Sequence, residues 1–367
     1  MRKPGHPDSK PSIVVLGAGI SGLGTALALL KRGHDVTLLE RGEVGAEASW
    51  AGGGILSPLL PWHYSEALAA LALRSMAGYA DWVSDIETLS ERHAEYWRCG
   101  MQVSGEARLG EALAWCEAHG LAAQHMLTQT GERLWLPDIA QVRNPRLIMA
   151  LRAAVLRLGG IIHTHSAVET LTIRAREVVA VHAARNSYAA DRFVVATGAW
   201  SGIALPSLAG VPNIRPIRGQ MLLFKLEPGM LDTILYRQGL YLIPRRDGHV
   251  LAGSTLEDAG FDKTTDDATC QRLHAEAAEL LPVLGGLEPI RHWAGLRPGS
   301  PENIPVIDRH PHFDNVFVNV GHYRYGVTMA PASAELLIDL MEDRTPALDP
   351  APYRWQAALE RNWTDSP

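Results

Sequence analysis

Residues 13–41, IVVLGAGISGLGTALALLKRGHDVTLLER, read as a strand, a glycine turn, a helix and a second strand that closes on an acid. The apolar run 13–16 suits a buried parallel strand. Gly17, Gly19 and Gly22 then supply the G-x-G-x-x-G spacing. The first permits a tight turn, the second lets backbone approach a pyrophosphate, and the third lets the helix pack close to the strand. The helix, opening with Ile20 and Ser21, offers unpaired N–H groups and a positive dipole end to phosphates. Leu23, Ala26, Leu27 and Leu30 mark its apolar face, and Gly33 ends it. The second strand delivers Glu40, followed by Arg41, where an acid can hydrogen-bond ribose hydroxyls. A lone glycine signature is weak. Here strand, helix, second strand and acid stand in register, and together they predict a bound adenine dinucleotide.

With 367 residues, 47% hydrophobic and 20% charged, the chain has material for two connected domains and a large core. The net charge of −6, with basic residues scattered, argues against a nucleic-acid partner. Cys99, Cys116 and Cys270 show no C-x-x-C spacing, so neither a zinc cluster nor a disulfide framework is expected. The first ten residues are polar and hold two prolines, and no apolar run reaches transmembrane length. These features predict a frayed N-terminal arm, no membrane contact and a cytoplasmic protein.

Further along, 48–62 is rich in glycine and proline yet too apolar for a solvated loop, and 64–97 reads as helix. An amphipathic helix is expected over 145–158, with Pro145 at its start. The strand-like 193–196 feeds Thr197 and Gly198, a second place where backbone can approach a cofactor. Residues 219–256 alternate in a β-rich manner, and a helix is expected near 266–281. The strand 316–320 opens into a glycine turn and an apolar helix. The fold class expected is α/β: a Rossmann-like, doubly wound dinucleotide domain (11–74, 146–205 and 311–345) with a β-sheet-dominated substrate domain (75–145 and 206–310). Residues 1–10 and 346–367 would be terminal arms. Such discontinuity is uncommon among nicotinamide dehydrogenases.

The motifs GAGISG with Glu40-Arg41, SWAGGGILSP, ATGAWS, YLIPR followed by LAGSTLE, HWAGLRPGSPENIPVID and GHYRYGVTMAPAS occur in this order. Over residues 11–345 the chain resembles the D-amino-acid-oxidase-like superfamily of FAD enzymes, and within it the thiamine-pathway glycine oxidases most closely. The resemblance implies non-covalent FAD held by the glycine turn, Glu40 and Arg41. Ala48, Ser49, Gly53, Gly54 and Ile55 would lie beside the isoalloxazine, and Val168 would meet the adenine. The turn His322, Tyr323, Arg324, Tyr325, Gly326, Val327 and Thr328 would face the ring, where a helix N-terminus favours the anionic reduced form.

An amino acid offered to a flavin needs its carboxylate fixed, and Arg297 suits this because its fork matches a carboxylate bidentately. Alone, Arg297 could equally be a surface arginine at a strand end, a tyrosine placed like Tyr241 is more often a half-buried strand residue, and Arg324 could also be a solvated loop residue. The resemblance makes Arg297 and Tyr241 the carboxylate contacts, sets Arg324 at the site mouth, and has Ile55 and Leu256 line the substrate cavity. Two departures stand out: Tyr325 replaces the family's usual asparagine, which bears on substrate size, and PVID replaces the commoner PYIG.

No nucleophile with a paired base, metal-ligand cluster or P-loop lysine appears in the sequence. The implied reaction is hydride transfer from a small amino acid (glycine, an N-methylated amino acid or a small D-amino acid) to flavin N5. Oxygen then reoxidises the flavin to give hydrogen peroxide, and the imine can serve thiazole-synthesis enzymes. A homo-oligomer is also implied. Two readings keep the fold: a D-amino-acid dehydrogenase passing electrons to quinone, and a sarcosine-type oxidase. Covalent flavin is disfavoured because no cysteine follows Cys270.

Overall fold

The computed structural model describes residues 10–129, 131–203, 208 and 210–363. The predicted opening unit forms as β1 (Ser12–Leu16), α1 (Ile20–Lys31) and β2 (Asp35–Leu39). β1 lies inside a six-stranded sheet of order 306–309, 316–320, 192–195, β1, β2, 161–163. All neighbours are parallel except Val306–Arg309, which returns antiparallel along Val316–Val320. Successive side chains of a strand leave opposite faces, and both faces of this sheet are covered. Ile13 and Val15 enter one core cluster with Leu23, Leu27 and Leu337, while Val14 and Leu16 enter another with Phe193 and Val318. This two-sided burial explains why the strand reads as an unbroken apolar run.

The second sheet has eight strands, of order 291–299, 215–225, 249–253, 240–244, 234–237, 101–104, 131–136, 124–128. Every pairing is antiparallel except Ile234–Arg237 against Met101–Ser104. Its register sets Arg297 opposite Ile217 and Tyr241 opposite Gly253. Both site candidates thus ride on paired strands.

Three boundaries differ from expectation. Strand Val306–Arg309 pairs in the first sheet although the sequence reading put it with the second domain. The helix Glu66–Ser90 runs unbroken across the expected 74/75 boundary. It lacks proline, and Leu68, Leu71, Ala72, Ser75, Tyr79, Val83 and Ile86 recur at helical spacing and are buried. Residues 346–363, most of the stretch expected as a terminal arm, are docked. Tyr353 donates its hydroxyl to the Ala67 carbonyl at 2.6 Å, and Trp355 and Ala358 join the core. Asp308, the departure in PVID, accepts the Trp355 N–H at 2.9 Å at the start of helix Trp355–Glu360. Residues 1–9 of the expected arm 1–10 and the boundary at 205/206 lie outside the described residues.

Candidate active site

The glycine turn is closed by backbone. Gly17 has φ +103°, and a Cβ there would sit 2.4 Å from the Ala196 carbonyl oxygen. A Cβ on Gly22 would meet the Gly17 carbonyl oxygen at 2.0 Å, so Gly22 serves from behind the turn and does not line the cavity. Glu40 locks the turn to the end of β2: its Oε2 accepts the Ala18 N–H and its Oε1 the Gly42 N–H, at 2.8 and 2.9 Å. Ser49 accepts the Ile20 N–H at 2.9 Å, tying the segment around Ala48 to the helix start. Arg41 lies over Trp200, its guanidinium carbon 3.3 Å from the ring centroid.

A cavity of about 380 Å³ runs beside this turn. Gly17, Gly19, Ile20, Ser21, Glu40, Arg41 and Val168 line it, and so do Ala48, Ser49, Gly53, Gly54 and Ile55. Thr197, Gly198 and the whole turn His322 to Thr328 also line it, as do Tyr241 and Arg297. One cavity therefore gathers residues from both ends of the chain. Leu256 is the exception among the expected lining residues. Beyond Gly253 the chain is drawn onto the edge of strand Arg215–Lys225 by Thr255 N–H to Gln220 O and Glu257 N–H to Arg218 O. Ser254, which the sequence reading missed, lines the cavity instead.

Ser254 joins the two carboxylate candidates. Its Oγ accepts from Arg297 Nη2 at 2.6 Å and from the Tyr241 hydroxyl at 3.0 Å. Arg297 Nη1 donates to the Thr255 carbonyl at 3.1 Å. The guanidinium lies over Gly219, where a Cβ would come within 2.1 Å of Nη1, which accounts for the glycine. Burial pushes the Arg297 pKa below its ordinary value. Arg324 donates to the Tyr64 hydroxyl at 3.4 Å. Among the described residues neither arginine has a carboxylate within ion-pair distance.

Tyr325 is buried and donates its hydroxyl to Tyr64 at 2.5 Å, the rings meeting edge-on at 5.4 Å. No short-range pattern could have signalled this pair, since the partners are 261 positions apart. The turn is pinned by Tyr323 N–H to Pro298 O at 3.0 Å and by Thr328 Oγ1 to Ile55 O at 3.0 Å. His322 is buried, which pushes its pKa down to about 4 and leaves the ring neutral.

The residues fit a dinucleotide cofactor. Bare glycines line the close approach, an acid is fixed at the end of the second strand, and buried polar atoms of Asn144, His322 and Tyr323 lack protein partners beside the cavity. A dinucleotide fold whose cavity is also lined by two arginines with no carboxylate partner among the described residues has the make-up of an oxidoreductase. Comparison with known proteins narrows this class. A family model described as DAO, FAD dependent oxidoreductase, matches residues 12–340, and the chain belongs to that family. It is 44% identical over 354 residues to a glycine oxidase of Pseudomonas aeruginosa, covering 93% of this chain and 97% of the relative. It is 33% identical over 350 residues to the bifunctional protein ThiO/ThiG of Nostoc sp., covering 90% of this chain and 53% of that protein. The crystal structure of glycine oxidase from Geobacillus kaustophilus superposes with a TM-score of 0.87 at 24% identity, covering 94% of this chain and 98% of the other, and shares the fold. The chain is thus an FAD-dependent amino acid oxidase, with FAD as its cofactor.

Proposed function

We propose that the enzyme oxidises glycine and other small amino acids to their imines, with oxygen as acceptor and hydrogen peroxide as product, and supplies thiazole synthesis. The observation that carries this reading is the pair Arg297 and Arg324, two guanidiniums facing one cavity with no carboxylate partner among the described residues. A buried charge without a partner is costly, and a bound carboxylate would offset it. FAD, held without a covalent bond, supplies the hydride acceptor and the route to oxygen.

Arg297 grips the substrate carboxylate bidentately, as a planar fork can and an ammonium cannot. Ser254 already accepts from both Arg297 and Tyr241, so its own proton is free to donate to the same carboxylate. Tyr241, held by Ser254, fixes the edge of the pocket. Arg324 adds positive potential without competing for a protein acid. Ile55, Leu296 and Tyr325 keep the reacting carbon away from bulk water. Substrate that arrives with a neutral amine needs no side chain as base.

A peroxide-release assay across glycine, sarcosine, D-alanine and D-proline tests the reading. Turnover of glycine at a kcat/KM comparable to the best of the four supports it, and activity confined to substrates larger than glycine refutes it.

Size selection falls to the Tyr64–Tyr325 pair. Tyr325→Asn removes a buried ring and frees the Tyr64 hydroxyl. Discrimination worth one methylene is about 1–3 kcal/mol. The variant should therefore raise kcat/KM for D-alanine relative to glycine by about tenfold or more. An unchanged ratio would show that the ring does not bound the pocket.

A further inference from the structure

The second half of the YLIPR motif has no place in the chemistry above, yet its arginine is among the most deeply placed charges in the molecule. Arg245 is 5% exposed and has no carboxylate within hydrogen-bond distance among the described residues. Its fork is spent on backbone and an amide: Nη2 donates to the Gly53 carbonyl at 2.8 Å, and Nη1 donates to the Val142 carbonyl at 3.0 Å and to Gln141 Oε1. Desolvation lowers its pKa to about 10, so the group stays charged at neutral pH at a cost. A buried cation kept for three neutral acceptors calls for a reason beyond packing.

Gly53 and Gly54 line the cofactor cavity, and Arg245 does not. In a trans peptide the C=O and the following N–H point in opposite directions. With the Gly53 carbonyl turned back to Arg245, the Gly54 N–H is turned toward the cavity side. No acceptor for it is present among the described residues, whereas the Gly54 carbonyl is taken by the Val142 N–H at 2.9 Å. A second feature points to a polar ligand at this wall. Asn144 lines the cavity at 1% exposure with neither Oδ1 nor Nδ2 partnered, and its Oδ1 lies 2.5 Å from where a Gly54 Cβ would be. The wall lies at the redox end, because a Gly53 Cβ would fall 3.4 Å from the Tyr241 ring.

We propose that Arg245 is a positioning residue for the cofactor: it holds and polarises the Gly53–Gly54 peptide so that the Gly54 N–H is a fixed donor to the redox-active end of FAD. The inference rests on the reading that the Tyr241–Arg297 end is where oxidation occurs. A peptide whose carbonyl binds a cation has a more positive N–H, and such a donor stabilises charge gained on reduction.

The test is the midpoint potential of the bound flavin, measured by dye equilibration in the wild-type holoenzyme and in Arg245→Met and Arg245→Lys. Arg245→Met should weaken the preference for the reduced cofactor at least tenfold, a shift of about 30 mV to more negative potential for a two-electron couple. Arg245→Lys keeps the charge but cannot grip Gly53 and Val142 together, so its potential should fall between the two. A wild-type potential in either folded variant overturns the proposal, even if thermal stability drops. If Arg245→Met does not fold, the lysine variant decides alone. A wild-type enzyme that fails to oxidise amino acids would instead refute the functional reading, independently of these potentials.

Discussion

Arg297→Ala is expected to lower kcat/KM for glycine by roughly 30-fold to several thousandfold, chiefly through KM. Truncating one partner of a buried, hydrogen-bonded charge pair costs about 2–5 kcal/mol, and each 1.4 kcal/mol is about a tenfold change. The clamp binds substrate in the ground state as well as the transition state, so much of the loss appears in KM. Arg297→Lys should recover only part, since an ammonium lacks the fork. Stability should move differently. Arg297 has no acidic partner among the described residues, so its removal strands no buried carboxylate, and the Tm of the variant should not fall. A KM for glycine within twofold of wild type, in protein that retains its flavin absorbance, would sink the clamp assignment.

How much of this site could be read from sequence depends on the range of the interactions. The glycine turn, α1 and Glu40 are set within thirty residues, so their strand–turn–helix–strand order could be read from sequence, whereas the acceptance of the Ala18 and Gly42 N–H groups by Glu40 could not. Strand Val316–Val320 and the helix Gly326–Met341 were legible for the same reason: an apolar run ends at a glycine turn. Arg297 was legible only by resemblance, because nothing local tells a strand-end arginine that faces a cavity from one that faces water. What stayed hidden was long-range. Ser254 is chosen over Leu256 by the pull of Gln220 and Arg218 on the chain beyond Gly253. Tyr64 is chosen by a partner 261 residues away. The docked C-terminal segment depends on Asp308 and Ala67, neither of which marks it in sequence.

Two glycines of α1 should respond to alanine with opposite sign, and the difference isolates what the glycine turn is for. Gly22→Ala places a methyl 2.0 Å from the Gly17 carbonyl oxygen, a backbone atom with no rotamer to escape into. The helix start must move away from the turn, which spoils the alignment of Gly17, Gly19 and the Glu40–Ala18 hydrogen bond. Overpacking of this kind costs about 1–3 kcal/mol, and here the upper part of that range applies because the contact is with backbone. FAD affinity should fall about 30- to 150-fold on a cost of about 2–3 kcal/mol. Gly24→Ala, half a turn on, meets only ordinary contacts, 3.8 Å from Trp82 and 3.9 Å from the Ala330 carbonyl oxygen. Replacing a mid-helix glycine there should raise stability by up to about 1 kcal/mol, with FAD binding unchanged. The measurements are the FAD dissociation constant by fluorescence quenching and the Tm of the apoprotein. Equal losses in both variants would mean that α1 tolerates no added methyl anywhere. A Gly22→Ala protein with wild-type FAD affinity would mean that the close approach of helix and turn is not what seats the cofactor.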